Sequence, residues 1–141
     1  MTVYADTSFF VSLYIEDRHS RAADQLLGSG GPVLFAPLHL AEWTHAVEQQ
    51  VFRREMSRAD ADAVHDDLNA DLASGLWLQI EFPDNAFARC ADLARRHGSK
   101  LGVRTLDSLH VACALELRAE RFWTFDERQA KLAKAEGLKT L

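Results

Sequence analysis

Apolar residues along the chain switch repeatedly between two periods, and the switches mark the elements. The run Val3-Tyr4-Ala5 is short, apolar and β-prone, and Asp6 follows it at once. From Phe9 to Leu27 the apolar positions Phe10, Leu13, Tyr14, Ala23, Leu26 and Leu27 recur at helical spacing. This predicts one helix, ended by Gly28-Ser29-Gly30-Gly31-Pro32. Val33-Leu34-Phe35 reads as a second buried strand. Pro37 suits a first helical position, and Leu40, Trp43, Val47 and Val51 then space out one face as far as Arg54. Ser57 followed by Asp60 looks like a helix start for the acidic stretch that runs to Ala73. Its carboxylates Asp60, Asp62, Asp66, Asp67 and Asp71 spread around the helix instead of converging, as on a solvated face.

Trp77-Leu78-Gln79-Ile80 is a predicted third strand, and Asp84 to His97 a helix with Phe87, Cys90, Ala91 and Ala94 inward. Thr105 caps the next helix, which carries Leu109, Val111, Ala112, Leu115 and Leu117. Phe122-Trp123-Thr124-Phe125 gives a fourth strand, Asp126 to Ala135 a last helix, and Thr140-Leu141 a closing strand. Short apolar strands alternating with amphipathic helices define an α/β sandwich around a mostly parallel sheet. The extra helix between the second and third strands departs from strict alternation.

Length and composition narrow the class further. The chain has 141 residues, and a domain of this size buries about 68–70% of its unfolded surface without a disulfide or structural metal. The breaks are too short to divide it, so residues 1–141 are expected to form one domain. Cys90 and Cys113 both lie in apolar helical patterns and read as reduced core thiols of a reducing, cytosolic compartment. The opening MTVYADTSFF has no basic leader or long apolar stretch, and no segment approaches the roughly 20 apolar residues that span a bilayer. A soluble, cytoplasmic protein is expected. The net charge of −5 argues against a module that coats nucleic acid by bulk electrostatics. It leaves a nuclease open, because a site that holds divalent cations must itself be acidic.

Four acids stand where an α/β fold places its chemistry, outside the carboxyl ends of parallel strands. Asp6 follows the first strand directly, and Asp126 follows the fourth with only Phe125 after Thr124. Glu42 and Asp107 interrupt otherwise apolar helical text near the starts of their helices. Each has an ordinary explanation taken singly: Asp6 as a helix cap, Asp107 as a charge on a helix dipole worth about 0.3–1 kcal/mol. Together they permit a cluster of hard oxygen ligands, which Mg2+ and Mn2+ prefer. Two such ions about 3.5–4 Å apart activate a water and stabilise the leaving oxygen of a phosphodiester.

Three runs carry a family resemblance. Val3-Tyr4-Ala5-Asp6-Thr7-Ser8 resembles the opening of a PIN domain, Thr105-Leu106-Asp107-Ser108-Leu109-His110-Val111-Ala112 its third acidic motif, and Phe122-Trp123-Thr124-Phe125-Asp126-Glu127-Arg128 its final strand–acid motif. Leu40-Ala41-Glu42 fills the second acidic position between them. The length is similar to that of the compact bacterial VapC-type toxins. The resemblance implies a PIN-like, Rossmann-like three-layer sandwich and Mg2+- or Mn2+-dependent endoribonuclease activity. It implies Asp6, Glu42, Asp107 and Asp126 as the catalytic, metal-holding acids, with Thr7, Ser8 and Thr124 as supporting hydroxyls near the substrate. It also implies an RNA substrate, a cognate antitoxin and a homodimer.

Other residues invite roles. His45 and His110 each lie one turn after an acid and are assigned to helix packing or to support of the carboxylates. Trp43 and Trp123 are assigned to the core or a dimer contact. Val47, Val51 and Phe52 cover more than one helix face and predict a covered apolar surface there. Arg104, three residues before Asp107, is a candidate phosphate contact. Two rivals remain. A haloacid-dehalogenase-like phosphatase would need an acid two residues after Asp6, where Ser8 stands. A non-catalytic PIN-like module that only binds RNA or protein would be marked by loss of an acidic position, and none is lost.

Overall fold

A computed structural model describes residues 1–141. Four strands, β1 (Val3–Ala5), β2 (Val33–Phe35), β3 (Leu78–Gln79) and β4 (Arg121–Trp123), form one all-parallel sheet in the order β3-β2-β1-β4. Eight helices surround it: α1 (Thr7–Tyr14), α2 (Ser20–Ser29), α3 (Pro37–Phe52), α4 (Arg58–Ser74), α5 (Ala86–Leu93), α6 (Ser99–Leu101), α7 (Thr105–Glu116) and α8 (Glu127–Ala135). A π-helical turn, Ala94–Gly98, joins α5 to α6. The α/β sandwich with a parallel sheet is as the sequence pattern led one to expect.

Register explains why the sheet has helices on both faces. Tyr4 pairs with Leu34 on one side and Phe122 on the other, so these three side chains line up across the strands on one face. They pack with Cys90 and Leu93 of α5, Leu109 to Ala114 of α7 and Leu132 of α8. Side chains alternate along a strand. Val3, Ala5, Val33, Phe35 and Trp123 therefore face the other way, onto Phe9 and Phe10 of α1, Trp43 and Val47 of α3, and Leu68 of α4. Both faces of β1 and β2 are buried, which is why these strands read as continuous apolar runs, whereas the edge strand β3 is exposed. Phe10 sits at the centre of the second layer with its ring edge-on to Phe35 and Trp77. Truncating such a ring to alanine costs about 3–5 kcal/mol.

Several local expectations are corrected. The predicted helix from Phe9 to Leu27 is two helices broken between Ile15 and His19. Polar side chains there outcompete the helical ladder: Ser20 Oγ donates to the Ser12 carbonyl at 2.7 Å, Ser12 Oγ to Asp17 at 2.8 Å, and the His19 amide to Asp17 at 2.8 Å. In α5 the buried positions are Ala86, Cys90 and Leu93, whereas Phe87 is 66% exposed and Ala91 and Ala94 face solvent. The helix is rotated from the expected phase: the stripe Ala86, Cys90 and Leu93 is the one that packs into the core with α7. Arg104, not Thr105, is the N-cap of α7, and no side chain caps that end. The closing strand at Thr140-Leu141 is absent, replaced by one bridge between Arg121 and Lys139.

The expected apolar surface near Trp43 and Val51 is largely internal. Trp43 and Val47 are buried under α4, Val51 is partly covered, and Phe52 at the helix end is 83% exposed. Leu40 also faces out. Ser57 does cap α4, accepting from the Asp60 amide at 3.0 Å. No helix is long and apolar enough to cross a membrane.

Candidate functional site

The chain leaves β1 toward β2 on one side and reaches β4 on the other, so the sheet has its topological switch point between β1 and β4. Crevices of open α/β sheets lie at such points, outside the strand carboxyl ends. Asp6 stands there, its backbone amide donating to the Trp123 carbonyl of β4 at 2.8 Å. Asp126 follows β4 by two intervening residues and caps α8, accepting from the Gln129 amide at 2.8 Å.

Asp6 caps α1 and is held from three directions. Its Oδ2 accepts from the Ser8 hydroxyl at 2.6 Å and the Ser8 amide at 3.3 Å, and its Oδ1 accepts from Gln129 Nε2 at 3.2 Å. Burial alone would raise this carboxyl. The attraction of His110 and the hydrogen bonds from Ser8 and Gln129 outweigh burial, and Asp6 lies below its ordinary value.

Glu42, on α3, is tied to Asp6 by a polar pair. Thr7 Oγ1 donates to Glu42 Oε1 at 2.8 Å, and His110 Nε2 reaches the same oxygen while standing 3.8 Å from Asp6 Oδ1. Tyr4 Oη fixes the far side of this imidazole, 2.7 Å from Nδ1. His110 is buried on α7, so the supporting role expected for it matches its contacts. His45 is exposed and bonds only to the Ala41 carbonyl one turn back, at 2.8 Å.

Asp107 sits in the first turn of α7, with Arg104 Nε 3.7 Å from its Oδ2. Burial pushes its carboxyl up, and the negative charges of Asp6 and Asp126 push it further. Asp107 and Asp126 line one cleft of about 410 Å³, and Glu42 and Asp107 line a second of about 400 Å³. Asp107 and Arg104 belong to both.

The fold thus brings all four acids to one end of the sheet, though not to one ion position. No group of three or more His, Cys, Asp or Glu side chains is arranged to hold a metal ion. Hydrogen-bond donors occupy the carboxylates instead: Ser8 and Gln129 on Asp6, Thr7 and His110 on Glu42. The donor chemistry nevertheless suits a hard divalent ion, since Asp107 is destabilised by two like charges that a cation would neutralise.

Thr7 and Thr124 are buried, so their hydroxyls support the site from behind. Thr124 Oγ1 donates to Gln129 Oε1 at 2.7 Å and accepts from the Asp126 amide at 3.0 Å. Gln129 is the member that sequence reasoning missed. It is wholly buried and also donates to the Asp107 carbonyl at 3.2 Å, linking three of the four acidic segments. Its spacing from Asp126 is that of a capping box, which was the available signal. Its side chain reaches across the sheet end because Thr124 already serves the Asp126 amide.

An α/β sandwich with acids gathered at its switch point is the class that fold and site define. The PIN domain family model matches residues 3–135, and the chain belongs to that family. The fold is shared with VapC20 of Mycobacterium tuberculosis, a sarcin-ricin loop cleaving toxin, at 19% identity and a TM-score of 0.68 over 96% of this chain and 95% of that one. It is shared with VapBC2 of Rickettsia felis, solved bound to a DNA fragment from their promoter, at 16% identity and a TM-score of 0.67 over 100% and 98%. FitAcB of Neisseria gonorrhoeae gives 16% identity and a TM-score of 0.70 over 99% and 96%. At these identities the likeness is one of fold. A comparison with curated proteins gave no match.

Proposed function

We propose that this PIN-domain chain is a metal-dependent endoribonuclease, a VapC-type toxin acting on RNA in the cytoplasm. The observation that carries the reading is that Asp107 lines one cleft with Asp126 and another with Glu42, while Gln129 ties Asp6 to the Asp107 segment. Asp6, Glu42, Asp107 and Asp126 would hold Mg2+ or Mn2+. When bound, such an ion supplies an activated water and stabilises the oxygen that leaves the phosphodiester. The chain's own residues orient the acids: Ser8 and Gln129 fix both oxygens of Asp6, and Thr7 and His110 fix Glu42. Arg104, with its side chain 88% exposed beside Asp107, offers a fork of donors to a phosphate. An antitoxin that covers the cleft and a second copy of the chain are proposed as protein partners. The support for both is the likeness of fold to VapC and VapBC proteins.

The test is cleavage of single-stranded RNA by the purified chain in a Mg2+ or Mn2+ titration, with EDTA as control. Asp6→Asn keeps the cap on α1, because Asn caps about as well as Asp. Cleavage should fall by orders of magnitude while the chain stays folded, with a lower melting temperature because an Asn side chain cannot accept from both Ser8 and Gln129. Wild-type-like, metal-dependent cleavage by Asp6→Asn, with contaminating nuclease excluded, sinks the mechanism.

A second reading, a PIN-like module that binds without cutting, is favoured by one observation: the acids are not arranged around one ion position. Thermal melting in Mn2+ separates the two. A binding-only module gains no stability from the ion, whereas the ribonuclease does.

A further inference from the structure

The cleft beside Asp107 and Asp126 holds a second arginine. Its walls include Gly102, Arg104, Asp107, Asp126, Glu127 and Arg128. Two arginines elsewhere on the chain are pulled tightly onto carboxylates, Arg58 onto Glu48 at 2.7 Å and Arg96 onto Glu136 at 2.8 Å, while several others make no ion pair. The two in the cleft are not held so tightly. Arg104 stands 3.7 Å from Asp107 on a side chain that is mostly exposed. Arg128, exposed on the first turn of α8, enters none of the chain's ion pairs although Asp126 and Glu127 adjoin it.

The Arg128 guanidinium lies close to the backbone of Gly102. Gly102 has φ +64, a left-handed conformation that favours glycine. A Cβ built there would lie 3.7 Å from Arg128 Nη1, an ordinary contact distance, so the guanidinium packs beside this turn on the wall of the cleft. Two planar forks of donors therefore line the cleft, Arg128 with no carboxylate partner and Arg104 only loosely paired with Asp107. A guanidinium binds a phosphate through paired hydrogen bonds, which a lysine cannot reproduce.

We propose that Arg128, together with Arg104, grips the backbone phosphates of an RNA strand lying in the cleft beside Asp107 and Asp126. The proposal rests on the ribonuclease reading and adds a residue to it. The grip positions the strand and reads no base, so its loss weakens every sequence alike.

The experiment measures binding of a fluorescent single-stranded RNA to the full chain carrying Asp6→Asn, which keeps the RNA intact, across a range of salt. Adding Arg128→Ala should raise Kd by about tenfold, the effect of losing one charged hydrogen-bonded contact. The salt slope should become shallower by about 0.7 for the lost phosphate. Arg128→Lys should fall between the two. Arg21→Ala, on exposed α2 outside the cleft, should change nothing. In the chain with Asp6 intact, Arg128→Ala should raise KM for the same RNA while kcat stays within about twofold. Unchanged Kd, salt slope and KM for Arg128→Ala, with the wild type still binding and cutting, overturn this proposal alone. If the wild type neither binds nor cuts RNA, the ribonuclease reading fails and this proposal with it.

Discussion

The side-chain amide of Gln129 donates to Asp6 Oδ1 at 3.2 Å, joining the first turn after β1 to the last helix across 123 positions of chain. The same side chain accepts from Thr124 and donates to the Asp107 carbonyl. Its amide therefore sets the distance between the acidic segments without being charged itself.

Replacing it tests that linkage. Gln129→Leu keeps the volume but leaves the Thr124 hydroxyl, an Asp6 oxygen and the Asp107 carbonyl short of a partner in a buried setting. Each such group costs about 1–3 kcal/mol, though some will find water, so a loss of about 2–4 kcal/mol is expected. Urea unfolding measures it. Gln129→Glu should do worse near neutral pH than at pH 5, because its carboxylate would face Asp6. A loss under 0.5 kcal/mol for Gln129→Leu, as at surface positions, would show the network to be incidental.

His39 gives the fold a pH dependence. The Ala36 amide donates to its Nδ1 at 2.8 Å, so the proton is on Nε2, which donates to the Ala5 carbonyl at 2.7 Å. Burial, with the nearby charge of His110 adding to it, drives its pKa down from 6.5 to about 3. A base with a lowered folded pKa binds fewer protons folded than unfolded. Its stabilising effect is whole above pH 6.5 and is lost as pH falls from there toward 3. A full proton difference corresponds to about 1.4 kcal/mol per pH unit. His39→Gln preserves both hydrogen bonds without titrating, so its stability should fall less steeply between pH 6.5 and 4. Parallel curves for the two proteins would remove His39 as the cause.

Glu136 works with the opposite charge and the same direction in pH. Hydrogen bonds from Arg96 and then His97 hold its carboxyl down at about 2. An acid with a lowered folded pKa stabilises above its ordinary value of 4.5 and loses that effect as pH falls toward 2. The Arg96 partner is half exposed, so solvent screens the pair and the effect is the small one of a surface ion pair. Glu136→Gln should be less stable than the wild type at pH 7, and the gap should narrow as pH falls from 4.5 toward 2. A gap of the same size at pH 5 and pH 2.5 would assign the loss to packing.

The sequence carried β1 and β2 because both faces of each are buried, so Val3-Tyr4-Ala5 and Val33-Leu34-Phe35 are apolar without interruption. Ser57 was legible as a cap for a similar local reason. The break before α2 was not, because Leu13, Tyr14 and Ala23 keep helical spacing across it while Asp17 and Ser20 end the ladder by side-chain bonds. The four acids could be picked out by their place in apolar text and by family likeness. What joins them could not, since Gln129, Thr124 and Asp6 meet only when β1 and β4 pair.

Asp107 offers the sharpest test of the metal. Its pKa is raised by burial and by Asp6 and Asp126, so the folded state holds its proton more tightly than the unfolded chain does. Such a group costs stability once it ionises: the protein weakens as pH rises through the carboxylate range and stays weakened at pH 7. Asp107→Asn removes that charge and keeps the size. In EDTA at pH 7 the variant should therefore melt a few degrees above the wild type. A bound cation reverses the balance, because an ion at 100 times its Kd adds about 2.7 kcal/mol to a protein that binds it only when folded. In saturating Mn2+ the wild type should rise past the variant, which lacks one ligand oxygen's charge and responds weakly. This crossing separates a metal-holding acid from a helix-dipole acid. Were Asp107 there only for the dipole, Asn would cost about 0.3–1 kcal/mol in EDTA and Mn2+ would treat both proteins alike.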